Sequence, residues 1–148
     1  MADYKEMCEG LQALISGVPH VTANLANASA FIYESLDDIN WAGFYILENG
    51  LLVLGPFQGR PACIEIKPGK GVCGTAAQTG KTQLVYNVHE FPGHIACDPR
   101  SRSEIVVPLY RNGALFGVLD IDSATVGRFD ERDREGIEAL AKTVENSL

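Results

Sequence analysis

The sequence has no excess of basic residues. Its 148 residues include 12 Lys and Arg against 19 Asp and Glu, which gives a formal net charge of −7 and a pI near 4.9. Proteins that bind nucleic acid or anionic lipid through charge need clustered Lys and Arg side chains. The composition therefore argues against a generic nucleic-acid binder and against a protein that charge holds at a membrane.

Long apolar runs are also missing. No stretch approaches the ~18 apolar residues of a membrane-spanning helix. The polar residues 2–6 are unlike a signal peptide. We therefore expect a cytoplasmic protein with no membrane partner. In that compartment its four cysteines, Cys8, Cys63, Cys73 and Cys97, should rest in the reduced state.

Cofactor motifs are absent as well. No two cysteines have CxxC spacing, so the sequence gives little support for a zinc knuckle. The glycine-rich residues 69–74 match neither a P-loop nor the dinucleotide-binding fingerprint. Backbone amides there could still bind a carboxylate at a helix N-terminus. We expect neither a metal ion nor an organic cofactor.

The composition that remains is typical of a folded domain. Hydrophobic residues make up 46% of the chain and charged residues 21%. A chain of this length buries roughly 70% of its unfolded surface and needs no disulfide or metal to hold its core. No repeat, low-complexity tract or linker divides it. We expect residues 1–148 to form a single domain.

Residue spacing predicts an α+β fold. Apolar residues at helical spacing predict two helices within the first ~37 residues, a short helix at 72–78 and an amphipathic helix from about 130 to 145. Asn49-Gly50 and Asn112-Gly113 each lie between apolar runs, which is a strong hairpin signal. Two hairpins indicate one antiparallel sheet with helices on a face.

A long irregular segment, residues 87–103, contains Cys97 and, three positions earlier, His94. Ordinary domains seldom keep a loop of this length without using it. A nearby imidazolium or helix N-terminus lowers the pKa of a thiol and makes it a nucleophile, whereas the adjacent Asp98 acts in the opposite direction. The alternative is a cysteine that packs as a small apolar side chain.

Cys63 and Cys73 lie near turns and glycines in the same part of the chain. A reactive thiol with a resolving partner is the pattern of redox enzymes, so thiol–disulfide chemistry is a reasonable hypothesis. For Cys73, core packing beside Val72 is an equally good interpretation. Cys8 lies on the first predicted helix and is interpreted as a packing or surface residue.

Two carboxylates, Asp120 and Asp122, interrupt an apolar strand. Residues i and i+2 of a strand share a face, so both project from one side while Leu119 and Ile121 face the core. Counting back from the second hairpin turn places Glu104 near them. Converging carboxyl groups raise one another's pKa and can hold a proton, a cationic ligand or a metal ion. The alternative is a solvated sheet face.

The aromatic pair Trp41 and Tyr45 is also on one strand, four positions apart, and therefore on one face. Core packing is the usual fate of such side chains. The functional alternative is an aromatic wall for a small ligand that carries a cationic or soft methyl group.

Six distinctive segments occur in order along residues 40–133. They are WAGFY from Trp41, LGPFQG from Leu54, GVCG from Gly71, FPGHIACD ending at Asp98, SEIVVP from Ser103 and GVLDIDS from Gly117. Together they resemble the GAF-domain free methionine-(R)-sulfoxide reductases, and GHIACD is the most diagnostic of them.

The resemblance implies a GAF fold, in which helices flank an antiparallel sheet, and a homodimer. It implies reduction of free methionine-(R)-sulfoxide to methionine, with thioredoxin as the reductant. Cys97 would be the nucleophile, Cys63 the resolving cysteine and Cys73 a relay or a substitute for it. The acidic pocket and its aromatic wall would be Glu104, Asp120, Asp122, Trp41 and Tyr45.

The residues and the resemblance together predict a mechanism. The Cys97 thiolate attacks the sulfoxide sulfur, a carboxyl group donates a proton, and Cys63 then forms a disulfide with Cys97. We expect residues 51–63 to act as a mobile lid in that step. Two alternatives remain: a non-catalytic GAF sensory module that binds a small ligand, and a redox sensor whose cysteines only change its shape.

Overall fold

The computed structural model describes residues 2–94 and 97–148. Within them the chain forms four α-helices, six strands and one 3-10 turn. The elements are α1 (Tyr4–Ile15), α2 (Val21–Ser35), β1 (Trp41–Glu48), β2 (Leu51–Gly59), β3 (Glu65–Ile66), α3 (Gly71–Thr79), β4 (Gln83–Val85), the 3-10 turn (Val88–Glu90), β5 (Ser103–Arg111), β6 (Ala114–Ser123) and α4 (Glu131–Glu145).

The six strands form one antiparallel sheet in the order β3-β2-β1-β6-β5-β4. Both predicted hairpins are confirmed. Asn49 and Gly50 have φ of 50° and 81°, and Asn112 and Gly113 have φ of 52° and 78°. These turns need positive φ at two successive positions, a conformation that Asn and Gly adopt at low cost. The α+β class is therefore confirmed.

The sheet separates two layers of apolar side chains. On one face, α1, α2 and α4 cover the main core, which includes Phe44, Leu119 and Ile121. On the other face, α3 covers a smaller cluster that includes Val106 and Val118. Alternate residues of a strand face opposite layers, so β6 contributes to both. The side chains that matter for chemistry lie on the α3 face.

Strand β2 extends beyond the apolar residues 51–54 that follow the first turn. It continues to Gly59, so residues 51–59 of the expected lid form a strand paired with β1 and not a loop. Gly55 and Pro56 suggest a break, but the pairing of β1 with β2 shifts register between Gly43 and Tyr45. A bulge absorbs residues that would otherwise interrupt the ladder. Within residues 51–63, the part after Gly59 is irregular.

None of the helices in the described part of the chain is long and apolar enough to cross a membrane.

Candidate active site

Sheet register brings the predicted acidic and aromatic residues together beside α3. Glu104 on β5 pairs with Asp122 on β6, and Trp41 on β1 pairs with Asp122 from the other side. Asp120 and Tyr45 lie farther along the same two strands, on the same face of the sheet. The predicted proximity of Glu104 to the two aspartates is confirmed.

A disulfide joins Cys63 and Cys97 at the edge of this group. Their Cα atoms are 5.4 Å apart, within the ordinary range for a disulfide. The other two cysteines, Cys8 and Cys73, are free. The expectation of four reduced cysteines is therefore wrong for Cys63 and Cys97. The bond joins two of the three cysteines for which the sequence predicted thiol–disulfide chemistry.

The aromatic wall also holds the segment that carries Cys63. The Tyr45 hydroxyl donates to the carbonyl oxygen of Cys63 at 2.9 Å, and Trp41 Nε1 donates to the carbonyl oxygen of Arg60 at 3.1 Å. The Trp41 ring stacks on Tyr45 and on Phe57, with centroids 6.0 and 5.1 Å apart. The indole and the phenol therefore fix the position of one disulfide partner as well as lining the cavity.

The segment that carries Cys97 is anchored through Asp98. Its carboxylate pairs with Arg100 at 3.0 Å and accepts from Asn40 Nδ2 at 3.1 Å, and the same Asn40 nitrogen donates to Ser101 Oγ. The Arg100 hydrogen bond lowers the pKa of Asp98. Because this charge is paired, the predicted opposing effect of Asp98 on the thiol is weakened. Ile95 and Ala96 of the GHIACD motif lie outside the described residues.

The three carboxyl groups are buried, so the alternative of a solvated sheet face is wrong. Burial raises the pKa of Glu104 and of Asp122 well above the ordinary carboxyl range, and the neighbouring Asp120 charge raises both further. Burial also raises the pKa of Asp120. Like charges in a dry site cannot all ionise, so the cluster retains protons near neutral pH.

Cys73 is a buried thiol next to this cluster. Its Sγ lies 3.9 Å from Glu104 Oε2. Burial, and then the charges of Asp120 and Glu104, raise the pKa of Cys73 well above its ordinary value. Thiolates are the nucleophiles of cysteine chemistry. The structure therefore favours the core-packing interpretation of Cys73 over a role in attack on a substrate.

A cavity of about 40 Å³ lies between the disulfide, the carboxyl cluster and α3. That volume has room for roughly two or three water molecules. Lys70 and the first residues of α3 also line it. Lys70 is the N-cap and makes no side-chain cap hydrogen bond, so it leaves the first backbone N–H groups of α3 for a ligand.

Comparison with known proteins identifies the family. The chain matches the family model for the GAF domain over residues 6–148. It is 50% identical to the free methionine-R-sulfoxide reductase of Escherichia coli over 145 residues, which cover 98% of this chain and 88% of the relative. The chain belongs to this family of GAF-domain reductases. It is also 51% identical to the Saccharomyces cerevisiae reductase, with 92% of this chain and 80% of that relative covered.

A solved structure of the reductase family has the same architecture. The free methionine-R-sulfoxide reductase from Neisseria meningitidis, determined in complex with its substrate, superposes with a TM-score of 0.93 at 42% identity. The match covers 97% of this chain and 87% of that one. The GAF fold implied by the sequence motifs is confirmed.

His94, from the diagnostic motif of the reductase family, also lines the cavity. Burial, together with the neighbouring His89, lowers the pKa of His94, and the two ring centroids are 6.4 Å apart. The imidazole is therefore neutral near pH 7. It can accept a thiol proton, but it does not supply the positive charge that the sequence suggested for activating Cys97.

The buried carboxyl cluster of this reductase-family chain should make its stability depend on pH. A raised folded-state pKa means that the folded protein keeps a proton that the unfolded chain has already lost. Stability therefore falls as pH rises from about 4 towards the raised pKa values. Asp122→Asn removes one such group, and we expect it to raise the free energy of unfolding by about 0.5–2 kcal/mol at about pH 8. Urea unfolding at several pH values measures this.

Asp37→Asn, at an exposed carboxyl group, is the matched control. It should leave the pH dependence of wild type unchanged. If Asp122→Asn and wild type lose stability in parallel between about pH 5 and pH 8, the buried carboxyl group is not the cause.

Proposed function

We propose that the chain reduces the R epimer of free methionine sulfoxide to methionine, using cysteine sulfenic-acid and disulfide chemistry. The observation that carries the proposal is the Cys63–Cys97 disulfide beside a buried, proton-retaining carboxyl cluster. A ligand-sensing module needs neither the disulfide nor the stored proton. A redox sensor needs only the disulfide.

Three features of the cavity support recognition of a free amino acid. The N–H groups at the start of α3, with Lys70, suit the substrate carboxylate. An ionised carboxylate of the cluster suits the ammonium group, and the Trp41 ring suits the methyl group on sulfur. A methionine sulfoxide within a peptide has no free ammonium group and would leave that carboxylate unpaired.

The first chemical step transfers the sulfoxide oxygen to Cys97. The thiolate attacks the substrate sulfur while a carboxyl group of the cluster gives a proton to the oxygen. Methionine leaves with its sulfur reduced by two electrons. Cys97 loses those two electrons and keeps the transferred oxygen as a sulfenic acid.

The second step forms the disulfide. The Cys63 thiol attacks the Cys97 sulfenic acid, and the oxygen leaves as water. The 5.4 Å between the two Cα atoms supports this pairing, and the buried, protonated state of Cys73 argues against Cys73 as the first resolving thiol. A dithiol then restores both thiols by exchange.

We also propose thioredoxin as that dithiol, a cytoplasmic location and a single domain over residues 1–148. The redox chemistry supports the first two, since a catalytic disulfide needs a reducing compartment. We propose a homodimer as well. Its support is the family resemblance and the partly exposed apolar side chains of Leu14 and Val18, which a second copy could cover.

Replacing Cys63 with serine tests the assignment of the resolving cysteine. The variant should produce about one methionine per site when no small thiol is present, because Cys97 stops at the sulfenic acid. Quenched-flow measurement of methionine, with mass spectrometry of the dimedone adduct at Cys97, would follow this. Continuous thioredoxin-linked turnover by the variant would contradict this assignment and indicate that Cys73 is the resolving cysteine.

The activity itself is tested with three substrates. Fully reduced enzyme is given free methionine-(R)-sulfoxide, the free S epimer and a peptide-bound R sulfoxide, with dithiothreitol or thioredoxin as the reductant. We expect turnover of the free R epimer alone. Turnover of none of the three would contradict the proposed function and favour the sensory module, and turnover of the peptide would contradict the ammonium subsite.

A further inference from the structure

One carboxylate oxygen in the cavity has no permanent hydrogen-bond donor. Asp120 Oδ1 is buried, and within the described residues the protons that could reach it are those shared with Cys73, Glu104 and Asp122. Asp120 is only 5% exposed, and it lines the cavity. A buried polar atom of this kind is unfavourable unless a ligand, an ion, a water molecule or a shared proton satisfies it.

The neighbours of this oxygen form a donor set for a metal. One ligand atom each from Cys73, Glu104 and Asp120 lies within 4.8 Å of the others, and Cys73 Sγ is 3.9 Å from Glu104 Oε2. A tetrahedral Zn²⁺ ion places sulfur and oxygen ligands about 3.4–3.6 Å apart. The distances between these three ligand atoms would therefore have to shorten by less than about 1.5 Å for all three to bind the ion. One soft sulfur and two oxygens favour Zn²⁺ over Mg²⁺ or Ca²⁺, which prefer oxygen ligands alone.

The charges around the cavity favour a cation. Glu104, Asp120 and Asp122 all face it. The positive contributions are the N-terminus of α3, equivalent to about half a unit charge, and Lys70, which is exposed and therefore screened by solvent. A divalent ion would satisfy the carboxylates more completely than protons do.

The inner part of the cavity suits a small occupant. Its volume of about 40 Å³ has room for an ion with one or two water molecules. We propose that the disulfide form of this protein binds one Zn²⁺ ion through Cys73, Glu104 and Asp120. The ion would be an inhibitor and not a cofactor, because it occupies groups that the proposed reaction needs. The binding itself does not depend on the proposed function.

The disulfide form allows a direct test. Among its cysteines only Cys8 and Cys73 are free, so a thiolate ligand can come from only two positions. Oxidised protein is titrated anaerobically with Co²⁺ as a spectroscopic substitute for Zn²⁺. We expect one equivalent to bind with thiolate-to-cobalt charge-transfer absorption in the near ultraviolet, and Zn²⁺ to displace it.

Three variants assign the site. Cys73→Ser should abolish the absorption, and Cys8→Ser should leave it unchanged. Asp120→Asn keeps the thiol and should weaken Zn²⁺ binding by more than about tenfold. It provides a second test should Cys73→Ser fold poorly, and thermal melting checks both. The absence of a thiolate band in wild type, its loss in Cys8→Ser, or unchanged Zn²⁺ affinity in Asp120→Asn would each overturn the proposal.

Discussion

Replacing Cys97 with serine is expected to abolish reduction of free methionine sulfoxide, lowering kcat by at least about 10⁴-fold. An alcohol is not appreciably ionised near pH 7 and is a far weaker nucleophile towards sulfur than a thiolate. A serine oxygen also has no counterpart of the sulfenic acid, so neither the oxygen transfer nor the disulfide step has a route. Methionine released per enzyme with excess dithiothreitol measures the loss directly.

Cys8→Ser is the matched control for this prediction. Cys8 lies on α1, on the opposite face of the sheet from the cavity, and its side chain packs against the main core. The control should retain wild-type kcat and KM. The Cys97→Ser protein must first be shown to melt as wild type does. Measurable multiple turnover by that variant would then show that Cys97 is not the nucleophile and would make Cys63 the next candidate.

The second large effect is expected at Glu104. Its pKa is raised by burial and by the charges of Asp120 and Asp122, so the carboxyl group holds a proton that it can give to the sulfoxide oxygen. Glu104→Gln keeps the shape and removes the acid. General acid catalysis contributes about 10²–10⁴-fold, and kcat should fall by that factor with a smaller change in KM.

The pH profile separates an acid from a merely structural role. An acid acts in its protonated form, so wild-type kcat should decline on the high-pH side as pH rises through the raised pKa of the carboxyl group. Ionisation of the Cys97 thiol governs the low-pH side of the profile. Glu104→Gln should lose that decline, whereas the exposed control Glu135→Gln should keep it. A variant with near-normal kcat and an unchanged profile would make Asp122 the better candidate for the acid.

The elements that sequence predicted well rest on local rules. Asn-Gly turns fix the two hairpins, and the alternation of a strand fixes which way Asp120 and Asp122 point. Counting back from the turn at Gly113 places Glu104 near the two aspartates. The exact pairing with Asp122 depends on a bulge between Leu109 and Tyr110, which shifts the register by one residue. These inferences need only neighbours in the chain or across one turn.

The contacts that sequence did not predict join distant residues. Asn40 reaches Asp98 across 58 positions, and Tyr45 reaches the carbonyl of Cys63 across 18. Every residue has a backbone carbonyl, so the spacing of residue types cannot predict the hydrogen bond from Tyr45 to the carbonyl of Cys63. Strand β2 continues past Pro56 for a related reason, because a bulge places Gly55 and Pro56 opposite the single residue Phe44 of β1. Burial of the carboxyl cluster likewise depends on α3, which packs from elsewhere in the chain.

The closed disulfide has a consequence for steady-state kinetics. While Cys97 is bonded to Cys63 it has no thiolate, so it cannot attack a second methionine sulfoxide. Methionine therefore forms before the bond closes, and the reductant must reopen the bond before the next sulfoxide reacts. The two half-reactions alternate in a ping-pong scheme.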